Sequence, residues 1–301
     1  MAGDVAIYPA AEQQKTLSRR KFLARAPLAA AGAVALYSAG IARHELSVVT
    51  RSLSIKDLPP AFEGYRVVQI SDIHFDEYTE PFFIRRVIRN VNSLKPDLVL
   101  LTGDFISFAP LPRRFAEHAL HHCTEMLEEI ACPQTFAAMG NHDSFLGAPE
   151  MIPVFKAVNI PLLVNRHVPI ERNGQRLWLC ATHDPVTHVP DLDATIPQNP
   201  DGPVLLMCHG PDYADELLAH PRGRLVDVMF AGHTHGGQVR IPLLPPLHLP
   251  EGGRKYVEGA FQLGRLQLYV NRGIGAVGLP FRLNCPPEIT VFTLKKAFTQ
   301  S

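Results

Sequence analysis

Beyond residue 43, short apolar runs alternate with segments whose apolar side chains recur every three or four positions. Residues 65–70 (YRVVQI) predict a strand. Residues 82–94 carry Phe83, Ile84, Val87, Ile88, Val91 and Leu94 at helical spacing, and Lys95-Pro96 ends that helix. The same reading gives strands at 97–101, 135–139, 204–208, 226–230, 266–270 and 289–294. It gives helices at 115–130, 151–158 and 213–219. Residues 168–170 and 177–181 flank Asn173-Gly174, a two-residue hairpin signal. Alternation of this kind predicts an α/β fold, partly parallel, with some antiparallel hairpins. No linker divides the segment, so residues 44–301 are expected to form one domain.

The first 43 residues follow another pattern. Lys15, Arg19, Arg20, Lys21 and Arg25 precede 17 uncharged residues, 26–42, built largely from Ala and Gly. A positive region followed by an apolar one and then small residues predicts an export signal or a membrane anchor. Ser18-Arg19-Arg20-Lys21-Phe22-Leu23 resembles the twin-arginine signal. That implies the twin-arginine machinery as a partner, and placement in the periplasm or on the extracytoplasmic face of the cytoplasmic membrane. Whether the leader is cut near Ser38-Ala39-Gly40 or kept as an anchor is open at this level.

Composition narrows the classes. Apolar residues make up 46% and charged residues 19%, which suits a packed core and excludes a disordered chain. Lys plus Arg and Asp plus Glu are 29 each, so no global basic field favours nucleic acid, and no nucleic-acid partner is expected. Five Cys without a C-x-x-C argue against a disulfide scaffold and against a Cys-rich zinc module. Cys180 and Cys208 are expected as core thiols, while Cys123 and Cys132 are candidates to meet.

The chemistry lies where strands end. The run at 67–70 leads into Ser71-Asp72-Ile73-His74, and that at 98–101 into Thr102-Gly103-Asp104. The run at 136–139 leads into Gly140-Asn141-His142-Asp143, that at 205–208 into His209, and that at 229–231 into Gly232-His233-Thr234-His235. Carboxyl ends of strands are where α/β sheets place their sites. One tetrahedral ion needs about four donors. The larger set here predicts two divalent ions, with mixed imidazole and carboxylate suiting Mn, Fe, Zn or similar metals.

In these blocks the chain resembles the calcineurin-like metallophosphoesterases, whose pattern is D-x-H, G-D, G-N-H-[DE], H and G-H-x-H. All five occur in order between residues 72 and 235. The segments GHTHGGQVRIP, GRKYVEG, NRGIG and NCPPEI resemble the exported or membrane-associated phosphodiesterase branch. The resemblance implies a four-layer αββα sandwich. Carried over residue by residue, it implies that Asp72, His74 and His235 hold one ion. Asn141, His209 and His233 would hold the second, and Asp104 would bridge them. His142 would be the catalytic histidine facing the substrate, with Asp143 orienting it. The implied reaction is hydrolysis of a phosphodiester by a hydroxide that the metals generate.

Other features bear on the substrate. The Pro-stiffened apolar loop at 241–250 and the turn at 278–281 are candidates for an acyl-chain groove or a membrane contact. Arg240, Arg254, Arg272 and Arg282 are candidate phosphate contacts, since Arg pairs bidentately with phosphate oxygens. His183-Asp184 ends a strand without matching a metal block, while His121-His122 is expected to be solvated. Two alternatives stand beside a phosphodiesterase. One is a lipid-linked pyrophosphate hydrolase resembling the UDP-diacylglucosamine pyrophosphatases of lipid A synthesis, which share the metal pattern. The other is a non-catalytic, metal-loaded envelope-binding protein.

Overall fold

A computed structural model describes residues 19–76, 79–107 and 112–297, with backbone alone for 19–22. The chain begins with α1 (Arg19–Gly40), β1 (Ser47–Ile55), β2 (Arg66–Ile70), α2 (Pro81–Ser93), β3 (Leu98–Leu101) and α3 (Arg113–Leu127). It continues with β4 (Thr135–Ala138), α4 (Ala148–Ala157), β5 (Leu162–Leu163), β6 (Arg166–Arg172), β7 (Gln175–Ala181) and α5 (Leu192–Thr195). The last elements are β8 (Val204–Met207), α6 (Ala214–Ala219), β9 (Val228–Ala231), β10 (Gly259–Leu263), β11 (Leu266–Val270) and β12 (Glu288–Lys296).

The strands form two six-stranded sheets, ordered β1-β12-β2-β3-β4-β5 and β10-β11-β9-β8-β7-β6. In the first, β2 to β5 run parallel and β12 is antiparallel to β2. In the second, β7, β8, β9 and β11 run parallel, with β6 and β10 as antiparallel edges. The β6–β7 hairpin turns on Asn173 and Gly174, both at positive φ, as the sequence signal requires.

Strand periodicity sorts side chains into three cores. Val67, Leu98, Leu100 and, from β12 of the same sheet, Phe292 face the other sheet and meet Leu205, Met207 and Phe230. Their neighbours Val68, Val99 and Leu101 face outward onto Ile84, Val87 and Val91 of α2, Leu120 and Cys123 of α3, and Phe155 of α4. Leu206, Met229 and Leu268 pack outward on Leu192 and Leu217 of α5 and α6. The result is the expected four-layer αββα sandwich. The sequence reading passed over β1, β5 and β10. Only Leu53 and Ile55 of β1 are buried, so its apolar alternation is weak, and β5 is two residues long.

Helix α1 is long and apolar enough to cross a membrane by length and composition, and it lies almost wholly outside the packed layers. Of the twin-arginine motif, Ser18 lies outside the described residues. All five cysteines are buried and free, so Cys123 and Cys132 do not pair. His121 and His122 are exposed on α3, as expected.

Phe292 stacks edge-on against Phe230 and Tyr269 between the sheets, each at a centroid distance of 5.0 Å. Phe292→Ala should therefore cost about 3–5 kcal/mol of stability. Urea unfolding should show a lower midpoint with an unchanged slope.

Candidate metal centre

Five strands of the two sheets deliver their carboxyl ends to one seam. From the first sheet, β2 leads to Asp72 and His74, β3 to Asp104, and β4 to Asn141, His142 and Asp143. From the second, β8 leads to His209 and β9 to His233 and His235. The loops continue the ladders irregularly: the Asp72 amide donates to Gly103 O at 2.9 Å, and the Gly232 amide to His209 O at 3.1 Å.

Asp72, His74, Asp104, His233 and His235 take the left-handed conformation, with φ between +46° and +72°. Such a backbone costs about 1–3 kcal/mol per non-Gly residue and persists only where surroundings enforce it. It turns each donor inward. Glycines make the approach possible: a Cβ on Gly140 would lie 2.1 Å from Asp104 Oδ1, and one on Gly232 would lie 2.2 Å from Asp72 Oδ2.

Two groups of donors result. Asp72 Oδ1 lies 3.4 Å from His235 Nε2 and 3.9 Å from His74 Nε2, and the two imidazole nitrogens are 3.0 Å apart. Asp104, His209 and His233 form the other group. Asp104 Oδ2 stands between the two, 3.1 Å from His209 Nε2 and 3.5 Å from His74 Nε2. Among the described residues, His74 Nδ1, His209 Nε2 and Asn141 Oδ1 are buried without a hydrogen-bond partner. An unpaired buried polar atom costs about 1–3 kcal/mol. Unpartnered atoms such as His209 Nε2, beside two buried carboxylates, fit a site built for cations.

Outer contacts aim the rings. His209 Nδ1 donates to Thr102 O at 2.7 Å, which leaves Nε2 for the centre. His233 Nε2 donates to Glu251 O at 2.6 Å, which leaves Nδ1. The His233 amide donates to both Asp72 oxygens, at 2.9 and 3.1 Å, tying the sheets together. Gln69, a polar interruption of the apolar β2, is fully buried and donates to Thr102 Oγ1 and across the seam to Ala231 O. The sequence reading missed Gln69, although its place inside V-V-Q-I was a signal. It also missed Glu251, which acts through a carbonyl and leaves no trace in residue identity.

The electrostatics follow from burial. Burial would raise the Asp72 and Asp104 carboxyls, but the facing imidazoles outweigh it and hold both low. Burial would lower the imidazoles of His74 and His209, but the same carboxylates outweigh it and raise both. His233 and His235 are lowered by burial. Burial also pushes His142 down to about 4, against the pull of Asp104. Its ring packs edge-on to His74 at 4.7 Å.

The Asp143 carboxylate accepts from backbone amides, so it acts on the loop that carries His142 rather than through its ring. The carboxylate accepts from the amides of Asp104 (2.8 Å), Gly140 (2.9 Å), Phe105 (2.9 Å) and Ile106 (3.4 Å). It clamps the loops after β3 and β4 from below, and burial with the Asp104 charge pushes its pKa up to about 7. Three of the four candidate arginines are engaged by other groups of the chain. Arg282 is fully buried and donates to Gly275 O, Cys285 O and Arg272 O, at 2.9 to 3.1 Å. Its guanidinium also lies 3.3 Å from His235 Nδ1. Arg240 pairs with Glu258, and Arg272 with Glu288. The Arg254 amide donates to Asp212, and its side chain is exposed.

His183 stacks on His188 at 3.7 Å, and Asp184 caps the turn at Thr187. Thr187 Oγ1 lies 2.9 Å from Ser144 Oγ, so this loop borders the turn that follows His142. A groove of about 440 Å³ opens over the centre. Its floor includes Asp104, Asn141, His142, His233 and His235, and Val277, Leu279, Phe281 and Leu247 form an apolar wall.

A family model described as calcineurin-like phosphoesterase matches residues 65–237. The uncharacterised metallophosphoesterase YkuE of Bacillus subtilis (strain 168) is 32% identical over 291 residues, covering 93% of this chain and 99% of the relative. Phosphodiesterase YaeI of Escherichia coli (strain K12) is 30% identical over 239 residues, covering 76% and 82%. UDP-2,3-diacylglucosamine pyrophosphatase LpxG of Chlamydia trachomatis is 29% identical over 295 residues, covering 77% and 85%.

The raised His74 and His209 make metal binding compete with protons, because an imidazole must be neutral to ligate. Affinity for Mn²⁺ should therefore rise as pH increases above the ordinary imidazole range, with protons released on binding. Calorimetry in two buffers of different ionisation enthalpy measures that release; none at pH 6.5 would contradict the assignment.

Proposed function

Because the chain belongs to the calcineurin-like phosphoesterase family, we propose that this metal-dependent phosphoester hydrolase is a phosphodiesterase working with two divalent ions of the Mn, Fe or Zn kind. The observation that carries this reading is the pair of buried donor groups with the Asp104 carboxylate standing between them. Asp72, His74 and His235 would hold one ion, and Asn141, His209 and His233 the other, with Asp104 shared. Bound there, two divalent ions would lower the pKa of a water and draw negative charge from the phosphate.

The chain's own residues do the rest. His142 lines the groove beside Asp104 and Asn141, within reach of a phosphate on the floor. An anionic phosphate there draws a proton onto its ring, which can pass to the departing alkoxide. Asp143 acts by position, fixing the loops that present Asp104 and His142. The apolar wall excludes water and favours a diester with an apolar substituent over a free monoester. The same wall favours the second reading, a lipid-linked pyrophosphate, as in the name of the relative LpxG.

Residues 1–43 are read as a twin-arginine leader kept as an anchor, which would set the catalytic domain, 44–301, on the extracytoplasmic face. The exposed, apolar α1 supports the anchor.

Metal-stripped protein should hydrolyse bis-p-nitrophenyl phosphate faster than p-nitrophenyl phosphate, and only after a divalent ion is restored. Asp104→Asn should stay silent with every ion. Hydrolysis unaffected by stripping would overturn the reading. Loss of rate on the diester, with turnover of a lipid-linked pyrophosphate, would favour the second reading. His142→Ala should lower turnover by about 10²–10⁴-fold while its metal content, measured by plasma mass spectrometry, stays that of the parent.

A further inference from the structure

The groove mouth carries an apolar rim with nothing packed on its outer side among the described residues. Leu243 is fully exposed, and Leu244, Leu247 and Leu279 are 56%, 63% and 65% exposed. These leucines belong to two segments locked together. The Arg240 amide donates to Leu283 O at 2.9 Å, and Gln238 Nε2 donates to Val277 O and Leu279 O at 3.0 and 3.1 Å. Residues 241–250 hold four prolines and no Asp, Glu, Lys or Arg. The rim is thus stiff, uncharged and built outward, which a chain surrounded only by water does not favour.

What covers it is indicated by α1. Among the described residues, the exposed helix meets the domain where it ends. Ser38 and Ala42 are buried, and Ser38 O accepts from the Arg282 amide at 3.2 Å, one residue beyond Phe281 of the groove wall. Arg43 and His44 pair with Glu80, and a shallow cleft there is lined jointly by Arg43, His44, Gly278 and Pro280. The helix able to enter a bilayer therefore leaves the domain beside the turn that carries Leu279.

We propose that the rim Leu243, Leu244, Leu247 and Leu279 docks into the same lipid bilayer that α1 enters, so that the catalytic groove opens at the membrane surface. The helix tethers the domain and the rim fixes its orientation. Cutting the chain at the small residues 38–40 would remove the buried Ser38 contact, so the docked form keeps its helix. The proposal does not depend on which ester is cleaved: a catalytically silent protein would still dock.

Because the native cysteines are buried, one introduced thiol can be labelled selectively. Leu244→Cys in the full chain, carrying an environment-sensitive fluorophore, is reconstituted into vesicles of phosphatidylethanolamine and phosphatidylglycerol. The label should shift to shorter wavelength and be quenched by brominated lipid. A label at Glu125→Cys, near the far end of α3, should show neither. Quenching at Leu279→Cys should be lost when Leu243→Asp and Leu244→Asp are added, with an unchanged thermal midpoint showing that the fold is intact. Equal emission at 244 with and without vesicles would overturn the proposal, as would quenching at 279 that survives both aspartates. A shift that needs no lipid and grows with protein concentration would also overturn it, assigning the rim to a second copy of the chain.

Discussion

The two sheets must meet at their carboxyl ends, because neither one carries a complete donor set. Asp72 and His74 come from the first sheet and His235 from the second; Asp104 and Asn141 come from the first, His209 and His233 from the second. The seam is closed by polar contacts in an otherwise apolar interior. Asp72 accepts from the His233 amide, and Gln69 reaches across to Ala231 O. The aromatic packing of Phe230, Tyr269 and Phe292 lies between the same two layers.

The price of that convergence is local. Five donors sit in left-handed backbone, two carboxylates are buried side by side, and, among the described residues, His209 Nε2 and Asn141 Oδ1 are buried without a hydrogen-bond partner. The rest of the fold offsets this strain. Asp143 gathers four amides, Arg282 spends its donors on three carbonyls beneath His235, and the carbonyls of Thr102 and Glu251 orient two rings. Cations bound at the centre would relieve the repulsion between Asp72 and Asp104, which would link folding to metal binding. The helix end at Ser38 shares the same support, because its carbonyl holds the amide of Arg282.

Much of this was legible in the chain. Buried parallel strands are continuous apolar runs, and each ends in a polar donor, so β2, β3, β4, β8 and β9 and their donors could be read together. Edge strands were harder. β1 buries only two of its side chains and β5 is too short to show a period. Roles that depend on direction rather than identity were out of reach. Asp143 follows His142 directly, yet its carboxylate faces the backbone. Arg282 looks like a phosphate ligand in sequence, but burial turns it into a support for His235. No residue-type signal marks a carbonyl such as Glu251 O as the group that orients His233.

The central claim is that seven side chains hold two ions about the Asp104 carboxylate. Crystals of the manganese-loaded protein, measured at a wavelength where Mn scatters anomalously, test it most directly. The account predicts two anomalous peaks flanking Asp104, one against Asp72, His74 and His235 and the other against Asn141, His209 and His233. A single peak, or peaks that leave either group without an ion, would contradict it.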